Sequence, residues 1–326
     1  MPFQFSALHI LGVVLVLLSS AILNHGKVTP APLVCVSHDQ SNPLAEQFPN
    51  NATGVLNATL AIIPITLETA RRLIPPQYGI LERAYRALLP DFPEGMYPVL
   101  VQAAHDHDIQ FRAYGITIDD FSRVGFEFPF LDLLGDGYSS FRWAPEQLIT
   151  SDHLIALAGS RDYGTIVSPA VWDPPCDAYR AQPDGSTYFK GKSIDSSEFI
   201  EVEMSQLRDI ELNPYPLELF KNITNQPTFA NASTCDNMIR WFNTSMSVGE
   251  YAPRPVLGRI KANTFPYKGV DKEWTDVYGV QVATPFIENN YLDCQSMKGY
   301  AGTGGVGDSL IQETNTNEDW EEISEL

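Results

Sequence analysis

The chain is short of positive charge. Its 326 residues include 21 lysines and arginines against 40 aspartates and glutamates, which gives a formal net charge of −19 at pH 7. A surface of that sign repels phosphate backbones and anionic lipid surfaces. We therefore expect no nucleic-acid partner, and an anionic ligand would need a local group of basic side chains.

Cysteine is also scarce, and its spacing argues against the common zinc sites. No C-x-x-C or Cys/His pair with the spacing of zinc ligands occurs. In an oxidising compartment an even number of cysteines favours two disulfides, for which three pairings are open. The alternative is one bridge and two buried thiols. The four cysteines are Cys35, Cys176, Cys235 and Cys294.

Two motifs that would define an enzyme class are missing or empty. No G-x-S-x-G sequence occurs, which argues against a serine hydrolase of the α/β type. The sequence GTGGVG, Gly302 to Gly307, matches G-x-G-x-x-G but follows no convincing strand and is followed by too few residues for a dinucleotide-binding unit. We interpret it as a flexible linker within an acidic tail, residues 301–326.

The first residues are strongly apolar. The run from Leu8 to Leu23 contains a core, Ile10 to Leu18, with the length of a signal-peptide h-region, and Ser19-Ser20-Ala21 has the form of a cleavage site. We predict a signal peptide over residues 1–21. An uncleaved signal anchor is the alternative, because the run is just short of a full membrane span. Either way we expect a secreted or lumenal protein, with a membrane partner only if the segment stays uncleaved.

N-glycosylation sequons support that compartment. Five N-x-[ST] sites without proline occur, three of them between residues 222 and 245. Because a glycan is bulky and hydrophilic, the sites are expected to mark the protein surface. The predicted acceptors are Asn51, Asn57, Asn222, Asn231 and Asn243.

The body of the chain has the pattern of a β-rich fold. Thr59 to Ile65 is a predicted strand, followed by a short helix that Thr66 caps and Pro75-Pro76 ends. Segments past Pro175 alternate apolar and polar residues with period two. Residues 234–246 (TCDNMIRWFNTSM) are a candidate helix. Many strands with few helices favour a barrel or sandwich with α additions. The alternating segments are STYFKGKSI, SEFIEVEMSQL, PVLGRIKANTF and DVYGVQVATPF.

A run of alternating histidine and aspartate could begin a metal site. His105, Asp106, His107 and Asp108 are consecutive, and on a strand the two imidazoles would share one face. The alternative is a polar turn between two strands, which is the usual setting of consecutive polar residues. We favour the turn and expect neither a metal nor a cofactor. The candidates for a third ligand are Asp119, Asp120, Glu127 and His153.

Three segments resemble a known superfamily. The helix sequence ITLETARRLIPPQYG, the strand sequence YPVLVQAAHD and the sequence GSRDYGTIVSP follow one another in the order of similar elements in the acetoacetate decarboxylase superfamily. The match extends from about Thr59 to Pro175, roughly a third of the chain. The resemblance implies a cone-shaped antiparallel β-barrel with helices outside and a pocket at its centre.

The sequence departs from that superfamily at the catalytic lysine. In the family, a lysine that follows an aromatic residue and a proline forms a Schiff base with a β-keto acid. A neighbouring cation and an apolar pocket lower the pKa of this lysine, which activates the amine as a nucleophile. Here that position falls on Val167 or Ser168, and no lysine occurs between Lys27 and Lys190. A Schiff base would require Lys190 or Lys192, on the next predicted strand, to point into the pocket, whereas strand lysines are usually exposed.

Other residue types could serve such a pocket. Glu127, among the aromatics of GFEFPF, could have a raised pKa and move a proton, as could His105. The alternative for Glu127 is a strand position facing water. Arg161 could bind a carboxylate or, with Asp162, form a structural ion pair that holds the turn. The remaining substrate-binding candidates are Arg142, Tyr138 and Tyr163.

The combined prediction is an α+β fold, mainly antiparallel β, with an acetoacetate-decarboxylase-like β-barrel over residues 56–300 after an extended segment, residues 22–55. We expect a small oxygenated substrate, such as a keto acid or polyketide-like molecule, and acid–base lyase chemistry (decarboxylase- or dehydratase-like) without a Schiff base. The alternatives are a barrel that only binds a small molecule and a structural glycoprotein of the cell surface. A homo-oligomer is compatible with the resemblance, although the sequons at residues 222–245 could block such contacts.

Overall fold

A computed structural model describes Cys35, residues 40–231 and residues 234–303. The predicted signal peptide, most of the predicted extended segment, the larger part of the GTGGVG motif and the acidic tail lie outside the described residues. Within the described ranges, strand β1 already begins at Ala52.

Helices are few and short. Four α-helices occur in the described part of the chain, and none of them is long and apolar enough to span a bilayer. They are α1 (Leu67–Leu73), α2 (Glu82–Leu88), α3 (Leu154–Asp162) and α4 (Leu217–Thr224).

Strands dominate the fold and pair into one 15-stranded sheet. The expectation of a mostly β fold with few helices is therefore confirmed. The strands are β1 (Ala52–Thr66), β2 (Gly79–Ile80), β3 (Met96–Phe111), β4 (Ile116–Ile118), β5 (Phe121–Asp132), β6 (Phe141–Trp143), β7 (Glu146–Thr150), β8 (Ile166–Asp173), β9 (Arg180–Ala181), β10 (Thr187–Ser193), β11 (Phe199–Gln206), β12 (Thr228–Phe229), β13 (Cys235–Arg240), β14 (Arg254–Asn263) and β15 (Lys272–Leu292).

The pairing of these strands closes two rings that share one wall. The order β5-β7-β8-β10-β11-β14-β15-β1-β3 returns to β5 through the β3–β5 pair. A second closure runs from β15 through β13, β12 and β6 to β5. Most pairs are antiparallel, with β7–β8 and β6–β12 as parallel pairs. The shared wall, β15-β1-β3-β5, is therefore covered on both of its faces.

The register of β3 and β5 divides their side chains between those two faces. Leu100 pairs with Glu127 and Ala104 pairs with Arg123, and residues directly opposite each other point to the same side of a sheet. Gln102 lies between Leu100 and Ala104 in the alternation, so it shares their face. We call this side the charged face and the other side, which carries His105, the histidine face.

The first strand and helix confirm their sequence signals. The apolar run in β1 is buried almost throughout, because both faces of the shared wall are covered. Thr66 caps α1, since its hydroxyl oxygen accepts a hydrogen bond from the backbone N–H of Thr69 at 3.1 Å. The helix ends at Leu73, just before Pro75. The four alternating segments past Pro175 form β10, β11, β14 and β15, also as predicted.

Two local predictions were wrong. The His105–Asp108 run is not a turn but part of the continuous strand β3, where its first three residues are fully buried. The candidate helix at residues 234–246 contains strand β13 instead, because it pairs antiparallel with β15. Helix α3, in the sequence SDHLIALAGSRDYG, is capped by His153 through its Nδ1.

Two disulfides are present and their pairing is resolved. Cys35 bonds to Cys176, and Cys235 bonds to Cys294. The second bridge joins the first residue of β13 to the turn after β15, and both of its cysteines are buried. No cysteine is left free. Two such bridges are compatible with an extracellular or lumenal protein.

The sequon asparagines do not all lie at the surface. Asn231 and Asn243 are exposed and Asn51 is partly exposed. Asn57, on β1, and Asn222, on α4, are buried, and the Asn222 side chain donates to the Glu218 carbonyl at 2.8 Å. A glycan does not fit at either buried site in this fold, so the expectation of surface exposure is corrected for those two.

Candidate functional site

The charged face of the shared wall encloses an unusual number of ionised groups. Asp106, Glu127, Arg142 and Arg240 are each at most 3 % exposed, and the Arg123 side chain is 12 % exposed. Buried charges of this kind are costly unless they are paired. We call these five residues, with the buried amide of Gln102, the interior cluster.

Arg123 and Asp106 form the first pair of the interior cluster. Arg123 Nε donates to Asp106 Oδ2 at 2.8 Å, and Nη2 donates to Oδ1 at 3.3 Å. This two-pronged geometry matches the planar guanidinium to the carboxylate. Burial alone would lower the pKa of Arg123, but Asp106 outweighs it and raises that pKa. Arg123 is therefore held as a cation in a fixed ion pair.

Glu127 is the acceptor at the centre of the cluster. Its Oε1 accepts hydrogen bonds from Gln102 Nε2 at 3.1 Å and Gln147 Nε2 at 3.4 Å. Its Oε2 lies 3.0 Å from Arg142 Nε as an ion pair. The alternative that Glu127 faces water is wrong, because its face of β5 is covered by the second ring of strands.

Arg142 is held on its other side by backbone and hydroxyl oxygens. Its Nη1 donates to the Ile223 carbonyl at 3.2 Å, and its Nη2 donates to Thr228 Oγ1 at 2.7 Å. Strand β6 places it there, since Thr228 of β12 pairs directly with Arg142. Arg142 and Glu127, which the sequence analysis proposed as site residues, contact each other, but the guanidinium is already engaged by the protein.

The Gln102 amide connects Glu127 to Arg240 through two hydrogen bonds. Because the Gln102 amide nitrogen donates to Glu127, its oxygen faces the other way and accepts from Arg240 Nη2. Arg240 comes from β13, which pairs with β15 rather than β3, so this bond crosses the enclosed space. Glu127 is therefore a positioning residue for Arg240.

Arg240 is the arginine with donors to spare. Its Nε and Nη1 are buried and have no hydrogen-bond partner among the described residues. Burial, helped by the neighbouring Arg142 and Arg123, lowers the pKa of Arg240 to about 9. A buried cation with unpaired N–H groups is the arrangement expected of an anion-binding side chain.

Two carboxyls adjoin the interior cluster at Arg123. Burial raises the pKa values of both Asp236, on β13, and Glu288, on β15. Asp236 adds to the rise at Glu288, whereas the hydrogen bond with Glu288 opposes the rise at Asp236, and Arg123 opposes it at both. With its amide nitrogen turned toward them, Asn290 donates to one oxygen of each at 3.1 Å. We call Asp236 and Glu288 the acid pair; together they retain a proton above the pH at which ordinary carboxyls lose theirs.

The acid pair predicts a pH-dependent stability. Raised pKa values mean that the folded chain binds more protons than the unfolded chain above about pH 4, so stability falls as pH rises through that window. Asp236→Asn should therefore raise the melting temperature at pH 8 and raise it less, or not at all, at about pH 4. Thermal unfolding of Asp195→Asn, an exposed carboxyl with no partner among the described residues, is the matched control; equal shifts in both variants would contradict the prediction.

The remaining predicted site residues do not join the interior cluster. His105 lies on the histidine face, where its Nδ1 is 2.9 Å from Ser122 Oγ and its Nε2 is 3.9 Å from Asp120 Oδ2. Arg161 is exposed near the end of α3 and forms no ion pair with Asp162 within the described chain, so the structural pair expected there is absent. Asp162 instead accepts a hydrogen bond from the Tyr291 hydroxyl at 3.0 Å.

The two tyrosine candidates differ in environment. Tyr138 is 55 % exposed in the loop between β5 and β6, away from any enclosed space. Tyr163 is buried at the end of α3, and burial, with the nearby Asp236, raises its pKa. Tyr163 is thus a neutral neighbour of the acid pair.

No metal site accompanies these groups in the described part of the chain. Among the described residues, no group of three or more His, Cys, Asp and Glu side chains has the geometry to hold a metal ion. His105 and His107 do share one face, with ring centroids 6.1 Å apart, as the strand interpretation required. The proposed third ligand His153 instead caps α3 and contacts the Asp119 carbonyl through Nε2 at 2.7 Å.

Lys190 and Lys192, the first lysines after the lysine-free stretch that follows Lys27, point outward. On β10, Phe189, Gly191 and Ser193 are buried, whereas Lys190 pairs with Glu201 at 2.8 Å and Lys192 is exposed. This alternation places both amines outside the first ring, as expected for strand lysines.

Lys268, which the sequence analysis did not single out, lies near Ser168, one of the two positions at which the superfamily has its catalytic lysine. Ser168 Oγ donates to Glu198 Oε2 at 2.7 Å, and Lys268 Nζ lies 2.7 Å from both Glu198 Oε1 and Glu146 Oε2. Partial burial lowers the pKa of Lys268, but the two carboxylates outweigh it and raise that pKa. Lys268 is therefore held as an ammonium ion and is a poor nucleophile.

Sequence reasoning missed the partners that make the interior cluster. Arg123, Arg240, Asp236 and Glu288 were not among the candidates, although each lies on a strand. The available signal was charge at alternate positions of a strand: Asp236, Met238 and Arg240 share one face of β13.

A separate cleft of about 620 Å³ opens beside the shared wall. It lies between β1, β15, the loop before β3 and the segment before α4. Its lining is mostly apolar and aromatic, including Phe92, Tyr215, Trp274 and Tyr278, with carboxylates at Asp91 and Asp276.

Comparisons with known proteins found weak structural similarity and no sequence match. No family model matches the chain, and no curated protein matches it in sequence. The solved structure "Enduracididine Biosynthesis Enzyme MppR with HEPES Buffer Bound" is 11% identical, with a TM-score of 0.42, covering 82% of this chain and 97% of the other. A second MppR structure, "complexed with the condensation product of pyruvate and imidazole 4-carboxaldehyde", is 10% identical, with a TM-score of 0.38, covering 81% and 100%. We take nothing about activity or site residues from likenesses this weak.

Proposed function

We propose that the protein binds a small oxygenated anion of the keto-acid class at Arg240 and acts on it by acid–base lyase chemistry, without a Schiff base. The proposed setting is an acetoacetate-decarboxylase-like, cone-shaped β-barrel. The observation that carries the proposal is the pair of buried Arg240 nitrogens, Nε and Nη1, that have no hydrogen-bond partner among the described residues.

The charge balance of the cluster singles out Arg240 as the binding group. Arg123 is neutralised by Asp106, and Arg142 by Glu127. Arg240 has only the neutral Gln102 as a hydrogen-bonded side-chain partner among the described residues. A ligand carboxylate or enolate oxygen would satisfy the open donors and offset the cost of burying the cation.

The chemistry follows from placing a cation and a shared proton close together. In a decarboxylation, the bond to the carboxylate carbon breaks, CO₂ leaves, and the electron pair moves onto the carbonyl oxygen, where Arg240 would stabilise the charge. The acid pair would then return a proton to the carbon atom. Arg123 links the two, since it interacts electrostatically with both Arg240 and Asp236. This route invokes no cofactor.

Binding without catalysis is the second candidate function, and Glu127 favours it. Both oxygens of Glu127 are engaged by Arg142, Gln102 and Gln147, so the carboxylate predicted to move a proton is a fixed acceptor instead. In this version Arg240 anchors the ligand and the acid pair only adjusts the local charge.

Secretion, glycosylation and oligomerisation remain parts of the proposal. The two disulfides are compatible with a secreted or lumenal protein. Asn51, Asn231 and Asn243 are the sequons at which a glycan fits the fold. A small molecule is the proposed partner, and a homo-oligomer stays compatible with the resemblance.

The test compares Arg240→Met with the exposed arginine variant Arg259→Met. Pyruvate, acetoacetate and oxaloacetate serve as probes, with calorimetry for binding and NMR for loss of the carboxylate. We expect wild type and Arg259→Met to bind one probe with equal affinity and Arg240→Met to bind it about 100-fold more weakly, the worth of two charge-assisted hydrogen bonds.

The outcomes separate the two candidate functions. Binding with turnover supports the lyase, and binding without turnover supports the ligand-binding protein. Equal affinity of Arg240→Met and wild type, or no binding of any probe, overturns the proposal. Borohydride reduction with each probe should give no adduct, because Lys268 is held as an ammonium ion; an adduct would replace the acid–base route by an imine route.

A further inference from the structure

The cleft beside the shared wall has the composition of a site for a hydrophobic cation. Its volume of about 620 Å³ lies within the range of small-molecule pockets. Four aromatic residues contribute to its lining, and no lysine, arginine or histidine does. An anion would therefore find no counter-charge there, and the net charge of −19 would repel it.

The only charged groups of the lining are two carboxylates that no described residue pairs with. Asp91 lies in the loop before β3 and Asp276 in β15, and both are exposed at the edge of the cleft. Neither has an ion pair or a side-chain hydrogen bond with another described residue. A cationic group of a ligand would supply the partner that the chain does not.

The backbone at Asp276 departs from regular strand geometry. Its φ is +55°, in the left-handed region that residues other than glycine rarely adopt, although aspartate tolerates it. The change breaks the alternation of β15, so Thr275 and Asp276 are both exposed and both line the cleft, whereas Val277 is buried. Such outliers are concentrated at ligand sites.

Tyr215 gives an independent observation inside the cleft. The residue is 9 % exposed, and its hydroxyl has no hydrogen-bond partner within the described chain. Burial, with the neighbouring Tyr278, raises its pKa to about 12, so the phenol stays neutral. Its ring and that of Phe92 lie 6.3 Å apart. The lining of the cleft therefore offers the neutral Tyr215 hydroxyl as a hydrogen-bond acceptor, together with aromatic faces, which attract cations.

We propose that this cleft binds an amphipathic amine, with its alkyl or aryl part against Phe92, Tyr215 and Trp274 and its ammonium group beside Asp276 and Asp91. The site lies on other side chains than the interior cluster, so it does not depend on the anion proposed there. The acidic surface of the protein attracts a cationic ligand. Because salt screens this attraction, the affinity for the ligand should fall as salt is added.

The experiment uses three probes that differ only in head group: decyltrimethylammonium, decanol and decanoate, each below its micelle concentration. Calorimetry on the intact protein should show saturable binding of the ammonium probe, at least tenfold tighter than the alcohol or the carboxylate. Asp91→Asn with Asp276→Asn should remove most of that preference while leaving decanol binding unchanged. Asparagine also tolerates the φ of residue 276, so the double variant keeps its fold.

Two further variants make the test decisive. Asp195→Asn, an exposed carboxyl outside the cleft, should leave all three affinities unchanged. Tyr215→Phe should weaken the ammonium probe by a fewfold, because the hydroxyl dipole, whose oxygen end attracts a cation, is lost from the cleft. Equal affinities for the three probes, absence of saturable ammonium binding, or an ammonium preference that survives loss of both carboxylates would overturn the proposal.

Discussion

Replacing Glu127 by alanine is expected to lower the free energy of unfolding by about 3–5 kcal/mol, the usual cost of breaking a buried ion pair from one side. The variant leaves Arg142 charged, 3 % exposed, and deprived of its carboxylate. It also removes the acceptor of the Gln102 and Gln147 amides. Urea unfolding monitored by tryptophan fluorescence measures the change, with the slope compared to confirm an unchanged transition.

A double variant tests whether the charge, rather than the lost volume, is responsible. Glu127→Leu with Arg142→Met removes both ions and refills the space with apolar groups, which is often close to neutral for a buried pair. We expect it to be markedly more stable than Glu127→Ala. If instead the double variant lost about the sum of the two single effects, the residues would be uncoupled and the ion pair would not stabilise this face.

Glu127→Gln separates the positioning role of this residue from its charge. The glutamine oxygen can still accept from Gln102, so the orientation of the Gln102 amide toward Arg240 is kept. We therefore expect anion binding at Arg240 to weaken less in Glu127→Gln than in Glu127→Ala. Both variants lose the carboxylate charge near Arg240, so the difference between their affinities reports the orientation of the Gln102 amide.

The sequence predicts the fold best where the inward face of a strand is apolar. Strands β10 and β11 show this: Phe189 and Val202 point inward, and Lys190 and Glu201 pair on the outer side. Period-two alternation then marks the strand and its orientation at once. The Thr66 cap was readable for a similar reason, since it depends only on local chemistry.

The same rule fails where the inward face is charged. In β13, Asp236 and Arg240 point into the second ring, and Asn237 and Ile239 occupy the other face, so neither side looks apolar. This pattern is not that of a half-buried strand, so the sequence predicts a helix where β13 lies. The His105–Asp108 run in β3 was taken for a turn because polar residues usually mean exposure, yet two covered faces bury both sets of side chains.

Only part of the interior cluster could be predicted from the sequence. Glu127 and Arg142 were candidates because of their surroundings, and they do contact each other. Arg240 and Gln102 are 138 positions apart and meet only because β13 closes the second ring. Contacts made by ring closure leave no local motif, so spacing along the chain could not identify them.

Ring closure also explains why the cluster can hold unpaired donors. The shared wall supplies Gln102, Asp106, Arg123 and Glu127 from strands that are fixed by their neighbours on both sides. Arg240 arrives from β13, a six-residue strand whose start is tied by a disulfide. The proposed anion site thus combines a rigid wall with one short strand, and we expect the stability of that strand to control binding.

Removing the Cys235–Cys294 bridge is accordingly expected to cost about 4 kcal/mol, the chain-entropy value for a loop closed over a separation of 59 residues. The bridge fastens β13, which carries Asp236 and Arg240, to the turn after β15. The double variant Cys235→Ala with Cys294→Ala should therefore lose both stability and affinity for a probe anion. Thermal unfolding and calorimetry on the same preparations measure the two losses.

The other disulfide is the matched control for that result. Cys35 and Cys176 close a longer loop, separated by 141 residues, so their removal should cost about 5 kcal/mol by the same argument. Cys176 follows β8 and holds none of the cluster strands, so this variant should keep its anion affinity when assayed below its melting temperature. An equal loss of affinity in both variants would show that the site responds to global stability, and the link between β13 and Arg240 would be wrong.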